Sequence, residues 1–147
     1  MKGKIAALAA AVIFYGLAAG QNPDPLVVSG KSLDAVWDAA LAALDDVGLA
    51  LNESDKASGI ITSDWTSFKK KDGYVDAKKP PAIQMEFDRS AKLTIHIKAS
   101  GDSLVTVVVD SAFKQSYGFK GPEKTRPCPS TGVLEKKFLD ALKDRLK

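Results

Sequence analysis

Between residues 83 and 110 three stretches of the chain alternate at a period of two. Ile83, Met85 and Phe87 alternate with Gln84, Glu86 and Asp88, and Leu93, Ile95 and Ile97 with Thr94, His96 and Lys98. Val105, Val107 and Val109 alternate with Thr106, Val108 and Asp110. Successive side chains of a strand point to opposite faces, so the pattern predicts three strands of an antiparallel meander with one buried and one wetter face. Arg89-Ser90-Ala91 and Ser100-Gly101-Asp102 are compatible with tight turns between them. A sheet with one apolar face needs a cover, and two other segments have the periodicity to supply it.

The first is a helix behind Ser32, a good N-cap, with Asp34 in the first turn where the helix dipole favours an acid. Leu33, Val36, Trp37, Ala40, Leu41, Leu44 and Val47 fall on one face, which makes Trp37 a core residue. Gly48 supplies the stop, because a left-handed C′ position is tolerated best by glycine. The second helix is expected from about Thr131 to Lys147. Its stripe is Leu134, Phe138, Leu142 and Leu146, widened by Leu139 and Ala141. Lys143, Arg145 and Lys147 crowd its C-terminal end, where the dipole favours cations.

Leu26-Val27-Val28 reads as a short first strand, and Leu49-Ala50-Leu51 and Gly59 to Trp65 as two more, joined by a turn at Ser54-Asp55-Lys56. Residues 66–81 read as a loop, or as a loose hairpin around Asp72-Gly73, and residues 113–129 as irregular. The order is therefore β-α-β-β-loop-β-β-β-α. An α+β domain results, with an antiparallel sheet of about five to six strands and both helices on one face.

Residues 1–20 have the three parts of a cleavable secretory leader. Lys2 and Lys4 give a positive start, Ile5 to Ala19 an uncharged Ala-rich stretch, and Ala18 and Gly20 a small-x-small cleavage site. The apolar stretch is short for a spanning helix, which needs roughly 20 residues; an uncleaved N-terminal anchor is the competing reading. Leu17-Ala18-Ala19-Gly20 resembles part of a lipoprotein box, but Gln21 stands where the acylated Cys would be. Export to the periplasm or envelope without lipidation is expected, with residues 21–25 as a tether and 26–147 as one domain.

Without the leader the chain carries 19 basic and 18 acidic residues, a net charge of +1, which gives no support to nucleic-acid binding. Apolar residues make up 45% and charged residues 27%, so a folded core is expected. Cys128 is the single cysteine, which rules out an internal disulfide. It is either a thiol packed by adjacent prolines or a partner in an intermolecular bond. His96 is the single histidine, which removes the usual His- and Cys-rich zinc sites.

The segment from Ser32 to Trp65 is similar to a known unit. Leu33-Asp34-Ala35-Val36-Trp37, Ala40, Leu44, Val47-Gly48-Leu49, Asp55 and Gly59-Ile60-Ile61 resemble the repeated domain of BamC, a lipoprotein accessory of the outer-membrane barrel assembly machine. The resemblance implies a helix-grip fold over roughly residues 26–147 and suggests a place in the envelope. BamC has two such domains and a lipid anchor, whereas this chain has one and carries Gln21. The shared pattern is apolar spacing and turn glycines, so no functional residue is carried over.

Candidate chemistry is sparse. Asp64, Glu86, Asp88 and Asp110 lie in or beside strands, and alternation turns most of them outward as solubilising groups. His96 is the only base for a Ser-His-Asp hydrolase, and no Gly-x-Ser-x-Gly elbow accompanies it. No cofactor motif and no metal motif is found, and a non-enzymatic role is expected.

The concentrated feature is basic and aromatic. Lys69, Lys70, Lys71, Lys78 and Lys79, with Phe68 and Tyr74 as apolar contacts, form one loop; Tyr117, Phe119, Lys120, Lys124 and Arg126 form another. They suit anionic lipid head groups or an acidic envelope protein. They make a single surface only if the fold brings both loops to one end of the sheet. Trp65 ends a strand and either covers the sheet or stands exposed as an anchor. The leading expectation is a periplasmic interaction module that binds an envelope protein or an anionic membrane surface. The second is a soluble carrier of an apolar ligand between helices and sheet, and the third a hydrolase using His96.

Overall fold

Two antiparallel strands of 15 residues each, β5 (Met85–Ala99) and β6 (Leu104–Gly118), form the spine of the fold. A computed structural model describes residues 23–77, 79–80, 83–101 and 103–147. The leader, Gln21 and Lys78 lie outside the described residues.

Shorter strands flank the spine. β1 (Leu26–Ser29) and β7 (Lys124–Pro127) lie in line along β6. On the other side β3 (Ile60–Ser63) and β4 (Thr66–Ser67) lie along β5, and β2 (Leu51–Asp55) pairs β3 at the edge. The result is a seven-stranded antiparallel sheet. With helices α1 (Leu33–Asp46) and α2 (Val133–Arg145), the protein is α+β.

Both helices form for the reasons visible in their sequences. The Ser32 hydroxyl accepts the Ala35 N–H at 3.0 Å. At the other end Leu49 N–H reaches Leu44 C=O and Gly48 N–H reaches Asp45 C=O, with Gly48 at φ +83. This pair of bonds is a Schellman ending, which satisfies carbonyls the helix would otherwise leave open. Trp37 and Leu44 of α1 join Phe138 and Leu142 of α2 over Ile61, Leu93, Ile95 and Val107. Arg145 clamps Asp46 through two bonds of 2.7 and 2.8 Å, tying the helix ends together.

The strand boundaries correct four expectations. Arg89-Ser90-Ala91 is no turn: these residues pair with Phe113, Lys114 and Gln115 on one side, while Ser90 and Ala91 pair with β4 on the other. Two expected strands are therefore one. β6 likewise continues through Phe113 to Gly118, and Lys124–Pro127 is a strand, within a stretch read as irregular. The turn before β3 lies at 56–59 rather than 54–56. Residues 66–77 contain β4, a single 3-10 turn at Lys70–Asp72 and a bridge from Val75 to Ser130, so much of that loop is pinned.

One acid sits wholly inside. Glu135, in the first turn of α2, is fully buried, and one carboxyl oxygen accepts the Ser130 hydroxyl at 2.5 Å. Burial pushes its carboxyl above the usual range, against the hydrogen bonds from Ser130, its own backbone and Ser111. A raised carboxyl contributes stability that is complete below the ordinary value and is lost as pH rises through the raised one. Glu135→Gln should therefore flatten the decline of stability from mildly acidic to alkaline pH, and gain about 1 kcal/mol over the wild type at the alkaline end. Urea midpoints across that range check it; parallel curves for the two proteins would contradict it.

Candidate functional site

A bulge at one end of the spine decides which side chains are displayed. Glu86 pairs with Tyr117 and Asp88 with Ser116, so Phe87 is an extra residue on β5. An extra residue reverses the alternation. On the far side of Phe87 the odd residues Arg89, Ala91, Leu93, Ile95 and Ile97 are buried on the inner face. Before it, Glu86 faces inward, and Ile83, Met85 and Phe87 are exposed at 80%, 61% and 54%. This corrects two expectations: that those three belong to the buried face, and that Glu86 points outward.

The inner side of this end lies beyond the helices and is filled by polar groups. Arg89 Nε donates to both carboxyl oxygens of Glu86, at 3.0 and 2.9 Å. Gln115, fully buried, donates to the same carboxylate and accepts from Arg126 Nε at 2.7 Å. Burial alone would push the Glu86 carboxyl up. The hydrogen bonds from Arg89 and Gln115 and the charges of Arg89 and Lys70 outweigh it and hold the carboxyl below its ordinary value.

The same end gathers the two basic loops. Arg126 donates to the backbone C=O of Lys79 at 2.9 Å. Asp76 N–H reaches Pro129 C=O, Thr131 N–H reaches Tyr74 C=O, and the Thr131 hydroxyl reaches Gly73 C=O. Gly73, Tyr74, Asp76 and Lys79 are thus stitched to residues 126–131.

The individual residues then divide. Lys69, Lys70, Lys71, Lys79, Lys120 and Lys124 are exposed. Tyr117 is half-buried, with the Arg126 guanidinium 5.2 Å from its ring. Phe119 is exposed, with Lys120 Nζ 5.4 Å from its ring centre. Phe68 and Tyr74 depart from the expected role of surface contacts. Tyr74 is buried, Phe68 half-buried, and the Phe68 ring lies 5.1 Å from Tyr74 and 5.8 Å from Phe113. They are the apolar base on which the 69–79 segment rests. Trp65 lies half-exposed on the outer face with Lys114 Nζ 4.3 Å from its ring.

Sequence reasoning missed Met85, Phe87 and the Glu86–Arg89 pair. The available signal was Arg89 itself, a charge in phase with apolar positions on both sides of it. Such a residue marks either a broken alternation or a paired inward charge, and here it marks both.

Elsewhere, His96 pairs with Asp110 at 3.5 Å on the open outer face, both half-exposed. Asp88 accepts from Ser67 and Ser90 at 3.1 and 2.7 Å. Cys128 is half-buried, and burial pushes its thiol up, away from the reactive thiolate. An open groove of about 560 Å³ runs between Pro23–Leu26 and the Lys136, Leu139 and Lys143 side of α2. A smaller one of about 140 Å³ lies between Val47–Leu49 and Tyr74. Neither includes His96. Among the described residues no group of three or more His, Cys, Asp or Glu could hold a metal ion, and no helix is long and apolar enough to cross a membrane. No protein-family model and no curated protein matches this chain.

Proposed function

We propose that this protein is an exported, non-enzymatic interaction module of the cell envelope. It docks through the basic end of its sheet onto an envelope protein or an anionic membrane surface. The observation that carries the reading is the Arg126–Lys79 hydrogen bond, which with the Val75–Ser130 bridge unites two basic loops into one surface. A surface held by backbone hydrogen bonds and an aromatic base is ordered before it binds, which lowers the entropy cost of docking.

Export rests on the leader, and an envelope role on the resemblance of Ser32–Trp65 to the BamC-type domain. The carrier reading needs free volume between helices and sheet, where Trp37, Leu44, Phe138 and Leu142 are packed. The hydrolase reading needs His96 in a pocket, and His96 lies on the open outer face. Docking is therefore the better supported of the three.

Photo-crosslinkers placed in living cells at positions 69–79 and 117–126 should each capture a specific envelope component. The same groups at Asn52 and Thr94, away from this end, should yield only background. Background adducts at every position would sink the reading.

A further inference from the structure

At the basic end of the sheet four apolar side chains are exposed. Met85 pairs with Gly118, and Phe119 follows Gly118 directly. The Phe87 ring lies over Gly118, its Cε2 3.1 Å from where a Cβ would stand. Ile83 is two residues before Met85. Phe119 is exposed at 47%, and the other three more so. Gly118 is thus the seat of the Phe87 ring, and the start of one long strand and the end of its neighbour present all four exposed apolar residues at one end of the sheet.

The backbone here is strained without internal reward. Ile83 adopts φ +60 and Lys120 φ +49. The left-handed region is sparsely populated by residues with a side chain, and a β-branched residue there is a true outlier. Ile83 is four-fifths exposed, so its side chain recovers little burial within the chain. Strain of this kind at an exposed apolar residue points to something outside the chain that receives it.

Cations lie at the same end of the sheet. Lys120 lies against Phe119, Lys124 pairs across from Tyr117, and Lys79 and Arg126 are joined on the inner side. Glu123 is the one acid between Phe119 and Lys124. Apolar side chains exposed at the same end as a group of lysines suit an anionic bilayer, where the tip enters the head-group boundary and the lysines meet phosphates. A protein partner fits less well, because lysine is depleted from the buried centre of protein interfaces.

Resting on the docking reading above, we infer that Ile83, Met85, Phe87 and Phe119 form a wedge that inserts into the interfacial layer of an anionic lipid bilayer. Lysines at the same end supply the long-range attraction, and the wedge converts attraction into residence.

The test uses the chain from Gln21 onward, which retains every described residue, with phosphatidylglycerol–phosphatidylcholine vesicles and pure phosphatidylcholine vesicles. The protein should sediment with the first and not the second. Ile83→Ser/Met85→Ser/Phe119→Ser should lower partitioning about tenfold or more, since tenfold needs the loss of no more than about one apolar side chain's worth of burial. Lys120→Glu/Lys124→Glu should lower it too and flatten its salt dependence. Val27→Ser, an exposed apolar change away from this end, should leave it unaltered. As a readout independent of variant stability, Phe119→Trp should shift its emission to shorter wavelength only with the anionic vesicles. Binding that ignores the apolar substitutions would overturn the wedge. So would failure to bind anionic vesicles while crosslinks to an envelope protein persist, which would leave the docking reading standing. Loss of both vesicle binding and crosslinks would overturn both.

Discussion

Alanine at position 59 is expected to cost the fold about 4 kcal/mol or more, whereas the same change at Gly48 should cost about 1 kcal/mol. Both glycines have positive φ, +75 at Gly59 and +83 at Gly48, so the conformational penalty is shared. Space separates them. A Cβ at Gly59 would stand 2.2 Å from the carbonyl oxygen of Ile97, while one at Gly48 would meet nothing within 4 Å. The obstructing atom belongs to the backbone of β5 and cannot rotate aside as a side chain can. Gly59 C=O also accepts the Ile97 N–H at 2.8 Å, so relief of the overlap breaks the bond that brings β3 onto the spine. Ile61 and Ile95, both fully buried, lie directly beyond that point and pair with each other. Urea midpoints for the two variants are the measurement. Equal losses at positions 48 and 59 would show that conformation alone, not close approach, selects glycine at 59.

What was legible in the sequence follows the nature of the burying partner. α1 could be read from Ser32 to Gly48 because its apolar face meets an apolar sheet and its caps use residues with few other reasons to stand there. The central halves of β5 and β6 were legible for the same reason: helices cover them, so alternation is apolar against polar. Past Phe113 the cover changes. Gln115 and Arg89 are as buried as many core residues, but a hydrogen-bonded cluster holds them, and a burial signal written in polar residues has no hydrophobic period. That is why one long hairpin read as three strands and an irregular tail. The bulge at Phe87 added a second error, because nothing in Met85-Glu86-Phe87-Asp88 announces an inserted residue. Of the interaction surface, the lysines were visible as composition. Phe119 was visible beside them, but Ile83, Met85 and Phe87 were not, since an alternating apolar run reads as core until the register is known.

Arg89→Met is expected to lower stability by about 2 kcal/mol at neutral pH, less than a fully enclosed ion pair would lose because about a quarter of the Glu86 side chain meets solvent. The larger consequence is a reversal of sign in the pH dependence. In the wild type the Glu86 carboxyl is held below its ordinary value, so its contribution is complete above that value and is lost as pH falls through the lowered one. Without the guanidinium, only Gln115 and the charge of Lys70 oppose burial, and the carboxyl is expected to rise above its ordinary value. Stability at this site then declines as pH rises through the raised value, so the variant approaches the wild type in acid and diverges from it at neutrality. Arg89→Met/Glu86→Gln removes the stranded charge and should recover most of the loss, which makes the coupling measurable as a double-mutant cycle. Because Gln115 links Glu86 to Arg126, and Arg126 holds the Lys79 carbonyl, the single variant should also loosen the seam between the two basic loops. Faster amide exchange for residues 73–79 at neutral pH, restored in the double variant, is the accompanying readout. A change below about 0.5 kcal/mol with an unaltered pH slope would reduce the pair to an ordinary surface contact and remove its claim to order the docking surface.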